Sequence, residues 1–90
     1  MERKPRQLER ILKGFANHRR IEMALLLEKR PELSVFDISD ILKINFKTAS
    51  DHLRRMAIAG LVMKRNEGNI VRHALTPRAK SILKFLRILE

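Results

Sequence analysis

A chain of 90 residues, 44% of them apolar, can bury one small core but not two, so residues 1–90 are read as a single domain. Twenty Lys and Arg stand against ten acids, giving a net charge of +10 and a pI near 11.2; an excess of that size points to a polyanionic partner such as DNA, RNA or an anionic membrane surface. The absence of cysteine excludes disulfides, thiolate zinc sites and thiol redox sensing.

In chain order, Leu8, Ile11, Leu12 and Phe15 recur at i, i+3, i+4 and i+7, which predicts an amphipathic helix over about 6–15. Asn17 offers a cap for a second helix. Ile21, Met23, Ala24, Leu25, Leu26 and Leu27 make that helix apolar on most sides, as a buried central helix would be, and Pro31 ends it. Ser34 followed three residues later by Asp37 reads as a capping box with Asp in place of Glu. It opens a short helix with Val35, Ile38, Ile41 and Leu42 at its apolar positions. After the break Lys43-Ile44-Asn45, Asn45 caps a further helix from Phe46 to about Ala59.

On that helix Ala49, Leu53, Met56 and Gly60 share one face. Lys47, Thr48, Asp51 and Arg55 point the other way, flanked by Ser50, His52 and Arg54. Phe46 stands at the edge and is read as packing on the neighbouring helix. Gly60 closes the helix as a C-terminal glycine does. LVMKR and IVRHALT then bracket NEGN, a hairpin signal. Thr76-Pro77 starts a last helix over about 77–89. Its apolar face of Ala79, Ile82, Leu83, Phe85, Leu86, Ile88 and Leu89 is too wide for one small domain to cover.

The order helix, helix, helix, helix, hairpin, helix is mainly α with a small β-hairpin. Two short, closely linked helices followed by a basic hairpin are the layout of a winged helix-turn-helix. In that layout Lys47, Thr48, Ser50, Asp51, His52, Arg54 and Arg55 are the candidate DNA contacts of a recognition helix, with double-stranded DNA as the partner. Lys64, Arg65, Asn66, Asn69 and Arg72 are the candidate contacts of the wing, suited to phosphates or a minor groove. Arg3, Lys4, Arg6 and Arg10 form a basic N-terminus that would add non-specific affinity. Leu8, Ile11, Leu12 and Phe15 on the first helix, with Ile82, Phe85, Leu86 and Leu89 on the last, are the candidate homodimer interface. Two other readings use the same basic faces: an adaptor for an acidic protein, and an architectural protein binding duplex without sequence preference. A carboxylate amid the cations, Asp51, either accepts from cytosine N4 or pairs within the helix with Lys47 or Arg55.

An enzyme is not expected. The chain has three glycines and no nucleophile elbow, phosphate-binding loop or clustered carboxylate pair. His18, His52 and His73 are scattered, with no carboxylate at ligand spacing, so neither metal nor cofactor is expected. Four Phe with no Trp or Tyr leave few platforms for stacking single-stranded bases. No apolar run is long enough to span a bilayer, and MERKPRQLER lacks the apolar stretch of a signal peptide. The expectation is a cytoplasmic, nucleoid-associated prokaryotic protein without a membrane partner.

From about Leu12 to Thr76 the chain resembles the ArsR/SmtB type of winged-helix repressors. LKGFANHRRIEMALLL resembles that family's LKALADPTRLRILxLL opening, and ELSVFDISDIL its ELCVCDLAEAL segment. INFKTASDHLRRMAIAGLV is similar to its LSQSTVSRHLKVLREAGLV recognition helix and exit, and KRNEGNIVRHALT to its RREGRxVYYxL wing. The resemblance implies a homodimeric transcriptional repressor. It does not carry over the metal sensor, because the family's cysteines would fall at Ser34 and Phe36, and the last helix has neither Asp nor His. Control is then left to a small molecule, a partner or protein abundance. Lys43 stands where the family usually has glycine, and Asp51 where it often has Arg.

Overall fold

The computed structural model describes residues 4–90; Arg3 of the basic N-terminus lies outside them. Pro5 at the first helical position opens α1 (Pro5–Phe15). One residue later Asn17 accepts from the backbone N–H groups of Arg19 (2.9 Å) and Arg20 (3.3 Å) and starts α2 (His18–Lys29). The reciprocal Ser34–Asp37 box, both bonds 3.1 Å, opens α3 (Val35–Leu42). Asn45 accepts from Lys47 N–H (2.8 Å) and Thr48 N–H (3.2 Å) to open α4 (Phe46–Ile58). β1 (Val62–Glu67) and β2 (Ile70–Leu75) pair antiparallel, Val62 opposite Leu75 and Glu67 opposite Ile70. Thr76 caps α5 (Pro77–Leu89), accepting from Ala79 N–H while its hydroxyl donates to the Gly60 carbonyl at 2.7 Å. This is the winged helix-turn-helix expected.

α3 and α4 end with the same closure. Leu61 N–H donates to Met56 C=O (2.8 Å) past Gly60 at φ +75°, and Ile44 N–H donates to Ser39 C=O (3.0 Å) past Lys43 at φ +57°. Glycine takes the left-handed conformation at no steric cost; Lys43 takes it with a Cβ. The turn between α3 and α4 is therefore strained at the residue where the resembled family has glycine.

The core gathers Phe15, Met23, Leu27, Ile38, Leu53, Met56, Leu61 and Leu83, each less than 4% exposed. Every helix contributes to it, and the base of the hairpin closes it through Val62 and Leu75. His73 is buried among these side chains, and its Nδ1 donates to the Leu33 carbonyl at 2.9 Å. Its backbone pairs with the same stretch: His73 N–H donates to Leu33 C=O (2.9 Å) and Glu32 N–H to His73 C=O (2.8 Å). The entry to α3 thus forms a third, one-residue rung beside the wing.

α2 is the central helix expected, packed on α3, α4, α5 and β2, with Leu25 alone of its apolar side chains exposed. Three expectations need correction. The first wing strand runs two residues further than expected, through Glu67, leaving only Gly68-Asn69 as the connection; Gly68 has φ +61°, at the position where a type II′ turn requires glycine. Phe46 does not pack away; it is 55% exposed and lines an open cleft with Val35, Phe36, Ile70 and Val71. Phe15, offered as a dimer contact, is 3% exposed and belongs to the protomer's own core.

Candidate nucleic-acid interface

The cap at Asn45 and burial of Ala49, Leu53 and Met56 fix the rotation of α4, and they leave Lys47, Thr48, Ser50, Arg54 and Arg55 exposed on its outer surface. Asp51 and His52 are half-buried at its margin. Asp51 accepts from Arg54 Nη2 at 2.7 Å and from Arg55 Nε at 3.1 Å. Those two bonds, Arg54 first, hold its carboxyl below the usual carboxylate range. Lys47 is not its partner; the acid fastens the two arginines one turn further on, at i+3 and i+4. The Arg55 terminal nitrogens have no intramolecular partner among the described residues, so the fork is oriented and still able to donate.

His52 is satisfied from α2. Arg20 Nε donates to His52 Nδ1 at 3.0 Å, and Arg20 Nη1 donates to the carbonyls of Lys13 (3.1 Å) and Gly14 (3.3 Å). Burial, and then the neighbouring Arg20, push the His52 imidazole below its ordinary pKa, so it is a neutral acceptor at pH 7. Arg20 therefore clamps α1, α2 and α4 together. No periodicity in the sequence marks this contact.

The wing is less cationic than its sequence suggests. Arg65 Nε donates to Glu32 (2.8 Å) and Arg65 Nη1 to Glu67 (3.4 Å). Arg72 Nε donates to Glu67 (2.9 Å) and Arg72 Nη1 to the Glu32 carbonyl (3.1 Å). Glu32 raises the Arg65 pKa, and Arg72 lowers that of Glu67. Lys64, Asn66 and Asn69 are exposed on the same hairpin, and Lys64 has no ion-pair partner among the described residues. Glu32 lies 33 residues from Arg65, beyond the reach of any local pattern.

Ser34 is committed to its cap, and among the described residues no group of three His, Asp or Glu could hold a metal. No described helix is long and apolar enough to cross a membrane. Residues 17–64, from the α2 cap into β1, match the model of the bacterial regulatory proteins of the arsR family. This chain belongs to the ArsR family. The family is one of regulators, not of enzymes. The cadmium resistance transcriptional regulatory protein CadC homolog of Staphylococcus aureus is 31% identical over 71 residues, which are 79% of this chain and 59% of that relative. The chain thus spans less than two thirds of that relative's length. HlyU from Vibrio cholerae N16961 superposes with a TM-score of 0.83 at 31% identity, covering 99% of this chain and 97% of HlyU. The homodimeric winged helix-turn-helix DNA-binding domain of Mb0332 from Mycobacterium bovis superposes with a TM-score of 0.84 at 27% identity, over 92% of this chain and 77% of that one.

Proposed function

We propose that this chain is a homodimeric, sequence-specific double-stranded DNA-binding transcriptional regulator that represses by occupying its operator. The observation that carries this reading is α4. Its outer face holds Lys47, Thr48, Ser50, Arg54 and Arg55, and its inner face is locked by the core behind α3. Such a helix fits a major groove, with Arg55 the best placed to donate to guanine O6 and N7. Asp51 acts on DNA through the arginines it aims. On the wing, Lys64, Asn66 and Asn69 make the outer contacts, while Arg65 and Arg72 stiffen the hairpin.

The dimer surface is proposed from exposed apolar side chains. Leu8 and Leu12 on α1, and Phe85 and Leu89 on α5, are exposed, with Ile11, Ile82 and Leu86 half-buried beneath. Ile88 on α5, 75% exposed, joins them, and Phe15 drops out. A second copy covers such a surface most simply. It would set two recognition helices about one turn of DNA apart, roughly 34 Å. The related Mb0332 domain is homodimeric.

The test is binding-site selection from a random duplex pool, followed by titration of the selected duplex at several salt concentrations. The expected result is a two-fold symmetric motif and affinity that falls steeply with salt. Arg55→Ala should abolish the preference for the motif and leave the fold intact. Salt-independent binding, or selection that enriches nothing, would reject the reading.

A further inference from the structure

A second cleft opens between α1 and α4, away from the wing. Its volume is about 440 Å³, and its cations come from three helices: Arg10 and Lys13 of α1, Arg20 of α2, and Arg54 and Arg55 of α4. No acidic residue lines it. Gly14 and Ala59 line it where α1 meets the end of α4, and the exposed Ile58 stands beside them.

We propose that this cleft receives the phosphodiester backbone of duplex DNA, so that Arg10 and Lys13 extend the nucleic-acid surface from the recognition helix onto the first helix. The proposal rests on the reading above that the chain binds duplex DNA. Three observations choose a DNA backbone over a small anion. Two of the five cations, Arg54 and Arg55, belong to the recognition helix, so the cleft continues that surface. The charges stand at the rim and do not converge on a buried point: the Lys13 side chain, paired with Glu9, is 76% exposed, and those of Arg54 and Arg55, both paired with Asp51, are 57% and 56% exposed, solvated pairs that leave donors free for a phosphate. The most enclosed cation, Arg20, already donates to His52, Lys13 and Gly14, and so fixes the spacing between the two walls. A row of exposed cations on two walls suits a strand that carries a charge every few ångströms.

The assignment is compatible with a dimer through α1. At about 100° per residue, Arg10 falls to one side of the buried Phe15–Ile11 line and Leu8 and Leu12 to the other, while Lys13 stands opposite that line. One edge of α1 is left for nucleic acid and the other for a second copy.

The test is the salt dependence of binding to the selected duplex, for wild type, R10Q/K13Q and the charge-matched control K80Q/K84Q on α5. Arg10, Lys13, Lys80 and Lys84 are all exposed, so both variants should melt like wild type. The expected result is that R10Q/K13Q, which removes two contacts from each protomer of the dimer, lowers the slope of log affinity against log salt by about three to four and weakens all sequences alike. The control keeps the wild-type slope. An unchanged slope in R10Q/K13Q, an equal drop in the control, or a change in base preference would overturn the assignment while leaving DNA binding intact. Perturbation of the Arg10 and Lys13 amides by inorganic phosphate, with an unchanged duplex slope, would make the cleft a small-anion site instead. A wild type that binds no duplex rejects the proposed function itself.

Discussion

Gly14 offers the sharpest test of how α1 is seated. Its backbone does not take a positive φ, so its conformation does not call for glycine. The reason lies across the interface: a Cβ there would collide with the Cβ of Ala59 and touch Leu61 at 3.7 Å. Gly14→Ala should therefore force α1 off the end of α4. Overpacking of this kind costs about 1–3 kcal/mol. Alanine's helix propensity returns at most about 1 kcal/mol, and less here because Gly14 lies one residue before the end of α1. The net expectation is a loss of about 1–2 kcal/mol, a fall in Tm of roughly 5–15 °C for a domain of this size. Thermal unfolding at fixed chain concentration reads it. Adding Ala59→Gly, which supplies the missing room from the other side, should restore about 1 kcal/mol or more, a coupling a double-mutant cycle measures. A Gly14→Ala protein as stable as wild type, or a double variant that only adds the two losses, would refute the close approach.

Lys43→Gly should stabilise the fold by about 1 kcal/mol, since glycine occupies the left-handed turn without a Cβ, and urea unfolding should show a higher midpoint at unchanged m. Stability should fall as pH drops through and below about 6.5. Burial holds His73 and His52 below their ordinary pKa, so the unfolded chain binds more protons in that window; equal unfolding free energies at pH 7.5 and 5.5 would contradict this. Asp51→Ala should release Arg54 and Arg55 together, tightening binding to random duplex while blunting discrimination at the base pair proposed for Arg55; competition titrations with matched and mismatched duplexes separate these from a general charge effect.

Much of this protein is legible one element at a time. The caps at Asn17, Ser34, Asn45 and Thr76 are local, because the side chain bonds a backbone N–H two or three residues on. The inward face of α4 follows from helical spacing, so Ala49, Leu53 and Met56 could be assigned to the core, and Lys47 and Arg55 to the surface, before any coordinates. Net charge, likewise, is a sum over residues and needs no fold.

What tertiary structure decided is which charges and apolar groups are already spoken for. Glu32, set beside the wing by a single backbone rung with His73, ties up Arg65 and shifts the wing's outward charge to Lys64. Arg20, which no sequence pattern singles out, is the clamp on His52 and the end of α1. Phe15 went to the protomer core and Phe46 to the surface, although both occupy apolar positions of amphipathic helices. Periodicity says which way a side chain points from its own axis. Whether another element stands there depends on contacts tens of residues apart, and only the folded chain supplies those.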